Sequence, residues 1–333
     1  MKYIIVTHTD MDGVAAAALY IYLSREKPVE IIFTEPYTIE KSLNKLRETI
    51  TRNIVEKIVI EDIGINTSTL PLIKEVLGNM IRHGIIVEWY DHHVWESSWI
   101  KELKNLGVKL YVDRTICATG VVAKYVKPSG PIDDNFVKEL VLGVCGGDLW
   151  RFDYWRSPWF LRLIRRRDND NWRLKVIEVL SKGVIWIDEF TENIVSKLEK
   201  ELKGYNMISG RIVYKDINGT RVAVAPAIEC IDSSFIASYI IGRYNADIVG
   251  VISPDGKLSL RSRKYNVREI AKALGGGGHK RASGAKIKIP WRVRILRHIL
   301  NNAIESYTLD TIIKTIQDLS GIDKLDLGKE ENR

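Results

Sequence analysis

The 333 residues are 45% hydrophobic and 28% charged, ordinary values that exclude a disordered or fibrous chain and leave room for two domains, each with its own core. No apolar run is long enough for a membrane span, and the opening MKYIIVTHTDMDG turns polar at once, so neither a transmembrane helix nor a secretory leader is expected. Lys and Arg number 50 against 42 Asp and Glu, a net charge of +8 that attracts polyanions, although the same charge can be spread over solvated faces.

The first 150 residues alternate short apolar runs with helical patterns. YIIV (3–6) reads as a strand and leads into GVAAAALYIYL (13–23), whose alanines favour helix. VEIIF (29–33), KIVIED (57–62), IIVEWY (85–90) and KLYVD (109–113) read as further strands. Helical patterns fall at 39–51, 69–82 and 118–127. Continuous apolar strands between helices predict an α/β fold, a mostly parallel sheet with helices on both faces. Three cysteines, Cys117, Cys145 and Cys230, stand far apart without a metal-finger pattern, so reduced thiols in a cytoplasmic protein are expected. Plentiful Lys, Glu and Ile, with Gln317 as the only glutamine, lean toward a thermophile.

The polar clusters fall at strand ends. HTDMD follows the first strand, EDIG closes the third and DHH follows the fourth. Open α/β sheets place ligands outside the C-terminal ends of their strands, so these clusters share one rim. GGDLW (146–150) follows ELVLGVC, a segment that as a helix would deliver Asp148, in a Gly-Gly-Asp turn, to the same rim. If His8, Asp10 and Asp12 leave a strand, alternation turns all three to one face, and Gly13 allows a tight turn into the next helix. Acidic residues also begin helices as caps. Asp62, Asp91, His92, His93 and Asp148 add weight, because so many carboxylates on one rim are costly unless cations neutralise them. Six or seven ligand-type residues exceed what one small cation needs and suit two. Mixed carboxylate and imidazole donors favour Mn²⁺, Fe²⁺ or Zn²⁺ over Mg²⁺. Paired cations of this kind hydrolyse phosphate esters.

THTDMDG, EDIG, WYDHHVW and Asp148 resemble the signature motifs of the DHH phosphoesterase superfamily, and LSLRSRKYNVREIAKALGGGGHKRASGAKI (258–287) resembles the glycine-rich motif of its DHH-associated C-terminal domain. The resemblance runs from residue 4 to about 289. It implies that His8, Asp10 and Asp62 hold one metal and that Asp12, Asp62, His92 and Asp148 hold a second, with Asp62 shared. Asp91 would orient the site and His93 would contact the phosphate. Two Mn²⁺ per chain are implied, with Mg²⁺, Co²⁺ or Fe²⁺ as substitutes. The spacing HxDxDG is closer to RecJ-type exonucleases, which have Asp where this chain has His8, than to the HxxPDxD of nanoRNases and pyrophosphatases.

Residues 150–172 hold four of the nine tryptophans, many arginines and no lysine. They could stack bases, form a homodimer surface, or pack Trp159, Leu163 and Ile164 on the core. A long helical pattern near 173–203 reads as a connector. In the second half, Asn218-Gly219 predicts a hairpin, a helix follows at 233–242, and the order hairpin, helix, strand, strand, helix, strand predicts a smaller α+β domain. A helix is expected at 267–274 and another at 291–306, with a loose, polar end from 318. Gly276, Gly277 and Gly278 allow close approach to an anion, while His279, Lys280 and Arg281 add donors. Arg261 and Arg263 are expected on one face of a strand. A flexible glycine loop with solvated basic residues would look similar. The resemblance assigns substrate binding to Arg261, Arg263, Gly276, Gly277, Gly278, His279 and Arg281. The expected organisation is a metal-binding domain over 1–150, a Trp/Arg-rich segment and connector over 151–204, a substrate-binding domain over 205–305, and an extension over 306–333. The expected activity is 3′–5′ removal of 5′-mononucleotides from short single-stranded RNA. RecJ-like nuclease, cyclic-dinucleotide phosphodiesterase, pAp phosphatase and a nucleic-acid-binding subunit are the rivals.

Overall fold

The structure, a computed structural model, describes residues 1–325 and divides into two units, Met1–Ile194 and a second beginning at Val195. In the first unit β1 (Tyr3–His8), α1 (Met11–Ser24), β2 (Glu30–Thr34), α2 (Ile39–Arg52), β3 (Lys57–Glu61), α3 (Leu70–Arg82), β4 (Ile86–Asp91), α4 (Ser97–Leu106), β5 (Lys109–Val112) and α5 (Ala118–Tyr125) alternate as expected. The strands form one parallel sheet in the order β2-β1-β3-β4-β5. All C-terminal strand ends therefore share an edge.

One face is covered by α2, α3 and α4, whose Leu43, Leu46, Ile73, Leu77 and Leu103 pack on Ile58, Ile60 and Trp89. The other face is covered by α1 and α5. α1 is buried on nearly every side, because α5, α6 (Asp134–Asp148), α7 (Ser157–Leu163) and α8 (Asp170–Leu180) pack around it. The run Ala15–Ala18 suits such a position, since small side chains let several helices approach one axis. On α6 a Cβ at Gly143 would lie 2.5 Å from Phe160 and one at Gly146 would lie 2.2 Å from Ser157. These glycines seat α7. Gly146 and Gly147 are thus helical and not the turn expected before Asp148.

The expected connector helix is broken. α8 stops at Leu180, Gly183 takes a positive φ of 78°, and α9 begins only at Asp188, running to Ser209. The division between the units falls inside α9.

The second unit holds β6 (Val213–Ile217), β7 (Thr220–Pro226), α10 (Ser233–Tyr244), β8 (Ile248–Ile252), β9 (Lys257–Arg261), α11 (Val267–Ala273), β10 (Gly277–Gly278), β11 (Ala282–Lys286), α12 (Trp291–Leu296) and α13 (Ala303–Asp318). Its sheet is mixed, in the order β10-β11-β9-β8-β7-β6. Asn218 and Gly219, both with positive φ, make the expected hairpin turn. The single helix expected over 291–306 is two, interrupted before Asn301-Asn302, residues that compete with helical hydrogen bonding. α13 crosses the expected boundary at 305, and its Ile304, Leu309, Ile312 and Ile313 lie in the core. Residues 306–318 are therefore part of the unit and not an appendage. The expected loose end lies outside the described residues beyond 325.

Cys117 and Cys145 form a disulfide, so the expectation of reduced thiols is overturned for this pair. The two were 28 residues apart in sequence, and only the packing of α5 against α6 brings their Cα atoms to 5.0 Å. Closing a loop of that length stabilises by about 3–4 kcal/mol in the chain-entropy account. Cys145→Ser, or the parent in excess dithiothreitol, is expected to unfold at a lower urea midpoint, measured by circular dichroism. Cys230→Ser is expected to leave the midpoint unchanged.

Candidate metal centre

The clusters meet at the C-terminal edge of the first sheet. His8 is the last residue of β1. Asp10 is the N-cap of α1 and accepts from Gly13 N at 3.3 Å. Asp12 already lies in the first helical turn, so the three residues do not share one strand face as expected. The strand-to-helix change splits them instead. His8 Nδ1 lies 2.9 Å from Asp10 Oδ2, whereas Asp12 faces His92. Gly13 has no positive φ. It is required because a Cβ would lie 2.6 Å from the His8 carbonyl oxygen, so the helix can start against the strand only without a side chain there.

Asp62 follows β3 with φ 55°, a left-handed conformation unusual for a non-glycine residue, fixed by its N–H donating to the Tyr90 carbonyl at 3.0 Å. This bend aims the carboxylate between two groups. Oδ2 lies 3.4 Å from His8 Nδ1, and Oδ1 lies 3.3 Å from His92 Nε2. His92 Nε2 is also 3.5 Å from Asp148 Oδ2 and 3.7 Å from Asp12 Oδ2. Donor atoms of His8, Asp10 and Asp62 gather within 4.8 Å of one another, and so do those of Asp12, His92 and Asp148. Asp148 arrives as the last residue of α6.

The buried atoms Asp62 Oδ1 and Asp148 Oδ2 have no hydrogen-bond donor, and Asp148 lines the same pocket as Asp10 and Asp12. Burial and the neighbouring Asp62 and Asp148 charges push the Asp12 carboxyl well above the usual carboxylate range. Burial also raises Asp148, to about 6, against the lowering effect of His92. Burial disfavours charge on both imidazoles, yet Asp10 raises His8 and Asp148 raises His92, so both lie well above the usual histidine range. Without cations, these shifts favour the protonated forms of His8, His92, Asp12 and Asp148. Carboxylate acceptors lacking donors, mixed with imidazole nitrogens at these separations, fit divalent cations, and the two oxygens of Asp62 reach both groups.

Asp91 and His93 are placed differently from the ligand-type residues. His93 Nδ1 lies 2.8 Å from Asp91 Oδ1, and the other Asp91 oxygen accepts from the indole N–H of Trp95. Burial would raise Asp91, but the charge and hydrogen bond of His93 hold it below its ordinary value. Gly64 of the EDIG motif makes room, since a Cβ would lie 2.9 Å from the His93 ring.

Four contributors were not singled out from sequence. Glu35, after β2, places Oε2 3.1 Å from His8 Nε2 and accepts from the Thr9 hydroxyl. Thr119 and Ala118 at the start of α5 donate backbone N–H groups to Asp12 at 2.9 and 2.7 Å, and the Thr119 hydroxyl adds a bond of 2.6 Å. Glu61 is fully buried, raised first by burial and then by the Asp62 and Asp12 charges. For Glu35 a buried acid just past a strand end was the available signal. Thr119 carried none, because capping by a residue 107 positions away leaves no local trace.

In the second unit the glycine run builds a hairpin. Gly277 and Gly278 pair with Gly284 and Ser283, and a Cβ at Gly276 would lie 2.1 Å from the Gly284 carbonyl oxygen. His279 N donates to Ala282 O at 2.8 Å, which fixes the loop carrying Lys280 and Arg281. Arg261 is the last residue of β9, and its guanidinium donates to the Ser234 hydroxyl at 3.3 Å. Arg263 lies past the strand end and is exposed, so strand alternation does not pair it with Arg261 as expected.

Residues 219–306 match the DHHA1 domain family. A search of curated proteins finds no match. Among solved structures, the pGpG-specific phosphodiesterase PggH from Vibrio cholerae is 15% identical over 91% of this chain and 99% of that one, with a TM-score of 0.53. An exopolyphosphatase-related protein from Bacteroides fragilis is 17% identical over 93% of each chain, with a TM-score of 0.51. At such identities the likeness is one of fold. Fold and site define a two-unit α/β protein with a buried histidine and carboxylate centre suited to divalent cations. Residues 219–306 are thus a DHHA1 domain, and the ordered motifs of the first unit resemble those of the DHH phosphoesterases.

Thr119→Val removes a hydroxyl bonded to a buried carboxylate while keeping its volume. It is expected to lower the stability of the metal-free protein by about 1–3 kcal/mol, read from urea denaturation.

Proposed function

We propose that this chain is a divalent-metal-dependent phosphodiesterase that shortens single-stranded oligoribonucleotides from the 3′ end and releases 5′-mononucleotides. The observation that carries the reading is Asp62, whose two oxygens face the His8–Asp10 group and the His92–Asp148 group. His8, Asp10 and Asp62 would hold one Mn²⁺, and Asp12, Asp62, His92 and Asp148 a second. Bound there, the cations supply Lewis acidity toward phosphate oxygens and lower the pKa of water. Asp91 accepts from His93 Nδ1–H and, against burial, favours the imidazolium, whose Nε2–H would donate to a phosphate oxygen or to the leaving oxygen. The side chain of His93 is 37% exposed, against 2% for His92, which suits contact with substrate. In the DHHA1 domain Arg261, His279 and Arg281, with the N–H groups of Gly276, Gly277 and Gly278, would hold the nucleotide part.

What supports a short linear substrate is the fold shared with a pGpG-specific phosphodiesterase. A panel of pAp, di- and trinucleotides, cyclic dinucleotides and 20-mers of RNA and DNA with Mn²⁺ tests it. Dinucleotides are expected to turn over fastest, with 5′-mononucleotide products. Faster cleavage of 20-mers or cyclic substrates would replace this reading with one of its rivals. Asp62→Asn is expected to lose at least a hundredfold in kcat and to lower Mn²⁺ stoichiometry by calorimetry.

Because His8, His92, Asp12 and Asp148 are shifted upward without metal, cations must displace protons to bind. Mn²⁺ affinity is therefore expected to fall as pH drops from 8 to 5.5. The binding heat at neutral pH should scale with the ionisation enthalpy of the buffer, and an identical heat in phosphate-free buffers of different enthalpy would contradict the protonated apo centre.

A further inference from the structure

A further carboxylate is built against the metal motif from outside the ligand-type set. Parallel pairing of β1 and β2 sets Thr34 opposite His8, so Glu35 leaves the sheet beside the motif. Its backbone is fixed there, with Glu35 N donating to the Thr38 hydroxyl at 3.0 Å and Thr38 N to the Glu35 carbonyl at 2.9 Å. The side chain is 10% exposed, and both oxygens are engaged. Oε2 lies 3.1 Å from His8 Nε2, and Oε1 accepts from the Thr9 hydroxyl with Arg166 Nε 4.0 Å away. Thr9 is held in turn by Arg173 on α8, whose side chain is only 3% exposed. Arg173 Nε donates to the Thr9 carbonyl at 2.7 Å, while its other nitrogens donate to the Arg165, Arg166 and Asp168 carbonyls of the loop after α7. A buried clamp thus sets Thr9, and Thr9 sets Glu35 against the His8 ring.

The His8 ring is 5% exposed and lies between carboxylates on opposite edges. Nε2 faces Glu35. Nδ1 faces Asp10 Oδ2 at 2.9 Å and Asp62 Oδ2 at 3.4 Å, yet it is buried without a hydrogen bond. A neutral imidazole has one N–H donor and one lone pair. Donation of the Nε2 proton to Glu35 leaves the lone pair on Nδ1, where the Asp10 and Asp62 oxygens converge. A carboxylate on the far nitrogen of a ligating imidazole fixes its tautomer and ring angle and makes the near nitrogen more basic. Glu35 itself stands on the wrong side of the ring to share a cation with Nδ1. His92 is used the other way round, since its Nε2 is the nitrogen that faces Asp12, Asp62 and Asp148.

We propose that Glu35 is a positioning residue of the metal centre. It holds the Nε2 proton of His8 and so makes Nδ1 the ligand atom for the cation shared with Asp10 and Asp62. This deepens the metal-dependent reading and rests on it for the cation. Mn²⁺ calorimetry compares the parent with Glu35→Ala and with Glu35→Gln, which keeps an acceptor of the same size. In Glu35→Ala one of the two Mn²⁺ equivalents is expected to weaken by about 10- to 100-fold, with the other within twofold. Glu35→Gln should lose less. Nitrogen NMR of histidine-labelled protein loaded with spin-active Cd²⁺ separates a positioning role from a merely structural one, with His8→Asn for assignment. The parent is expected to show cadmium coupling at His8 Nδ1 and a proton on His8 Nε2. That proton signal should broaden in Glu35→Ala through exchange with water. Coupling at His8 Nε2, parental Mn²⁺ affinity in both variants, or equal weakening of both equivalents would overturn the assignment. The NMR measurement on the parent and the Glu35→Gln titration decide it even if Glu35→Ala does not fold. A parent that binds Mn²⁺ but hydrolyses no phosphodiester would sink the proposed function alone, and the same titrations would still judge Glu35. A parent that binds no Mn²⁺ would sink both.

Discussion

Repulsion among Asp10, Asp12, Asp62 and Asp148 is the constraint on which the first unit depends. Carboxylates this close, two of them buried and two half-buried, cannot all be charged without positive partners, and the two imidazoles between them supply only part of what is needed. The fold holds them together by spending local structure on each. A left-handed residue bends Asp62 inward, a cap fixes Asp10, the N-terminus of α5 grips Asp12, and the last turn of α6 carries Asp148. The disulfide joins those last two supports, since Cys117 precedes the α5 N–H groups on Asp12 and Cys145 lies one turn before Asp148.

Much of this was legible in the chain because it is periodic or local. Parallel strands buried on both faces produce unbroken apolar runs, and the polar residues that end them mark one edge by topology alone. Asn218-Gly219 announced its turn because the backbone there needs positive φ at both residues. What escaped depends on long-range packing. Thr119, Glu35 and the Cys117–Cys145 bridge owe their roles to partners far away in sequence. The breaks after Leu180 and before Ala303 interrupted patterns that remain helical in periodicity on either side. Arg263 was misplaced because β9 ends two residues earlier than alternation suggested.

The Trp/Arg-rich segment divides its residues between the uses open to it. Trp150, Phe160, Leu163 and Ile164 are buried and pack as core. Trp155 is exposed, with the Arg156 guanidinium 4.5 Å from its ring. The arginines themselves are unequal, since Arg173 is a buried backbone clamp and Arg166 a solvent-facing charge on the loop it clamps.

The long reach of the Arg173 clamp bears on how the molecule is made. Its bond to Thr9 spans 164 residues, and those of Ala118 and Thr119 to Asp12 span 106 and 107. A chain emerging from the ribosome N-terminus first exposes His8, Asp10 and Asp12 long before any of these partners exists. Contacts so distant in sequence form late, after the loop-closure entropy has been met. A nascent chain halted before Asp148 would hold most of the acidic residues without the packing that aligns them. The alignment of the centre therefore waits on residues as late in the chain as Arg173.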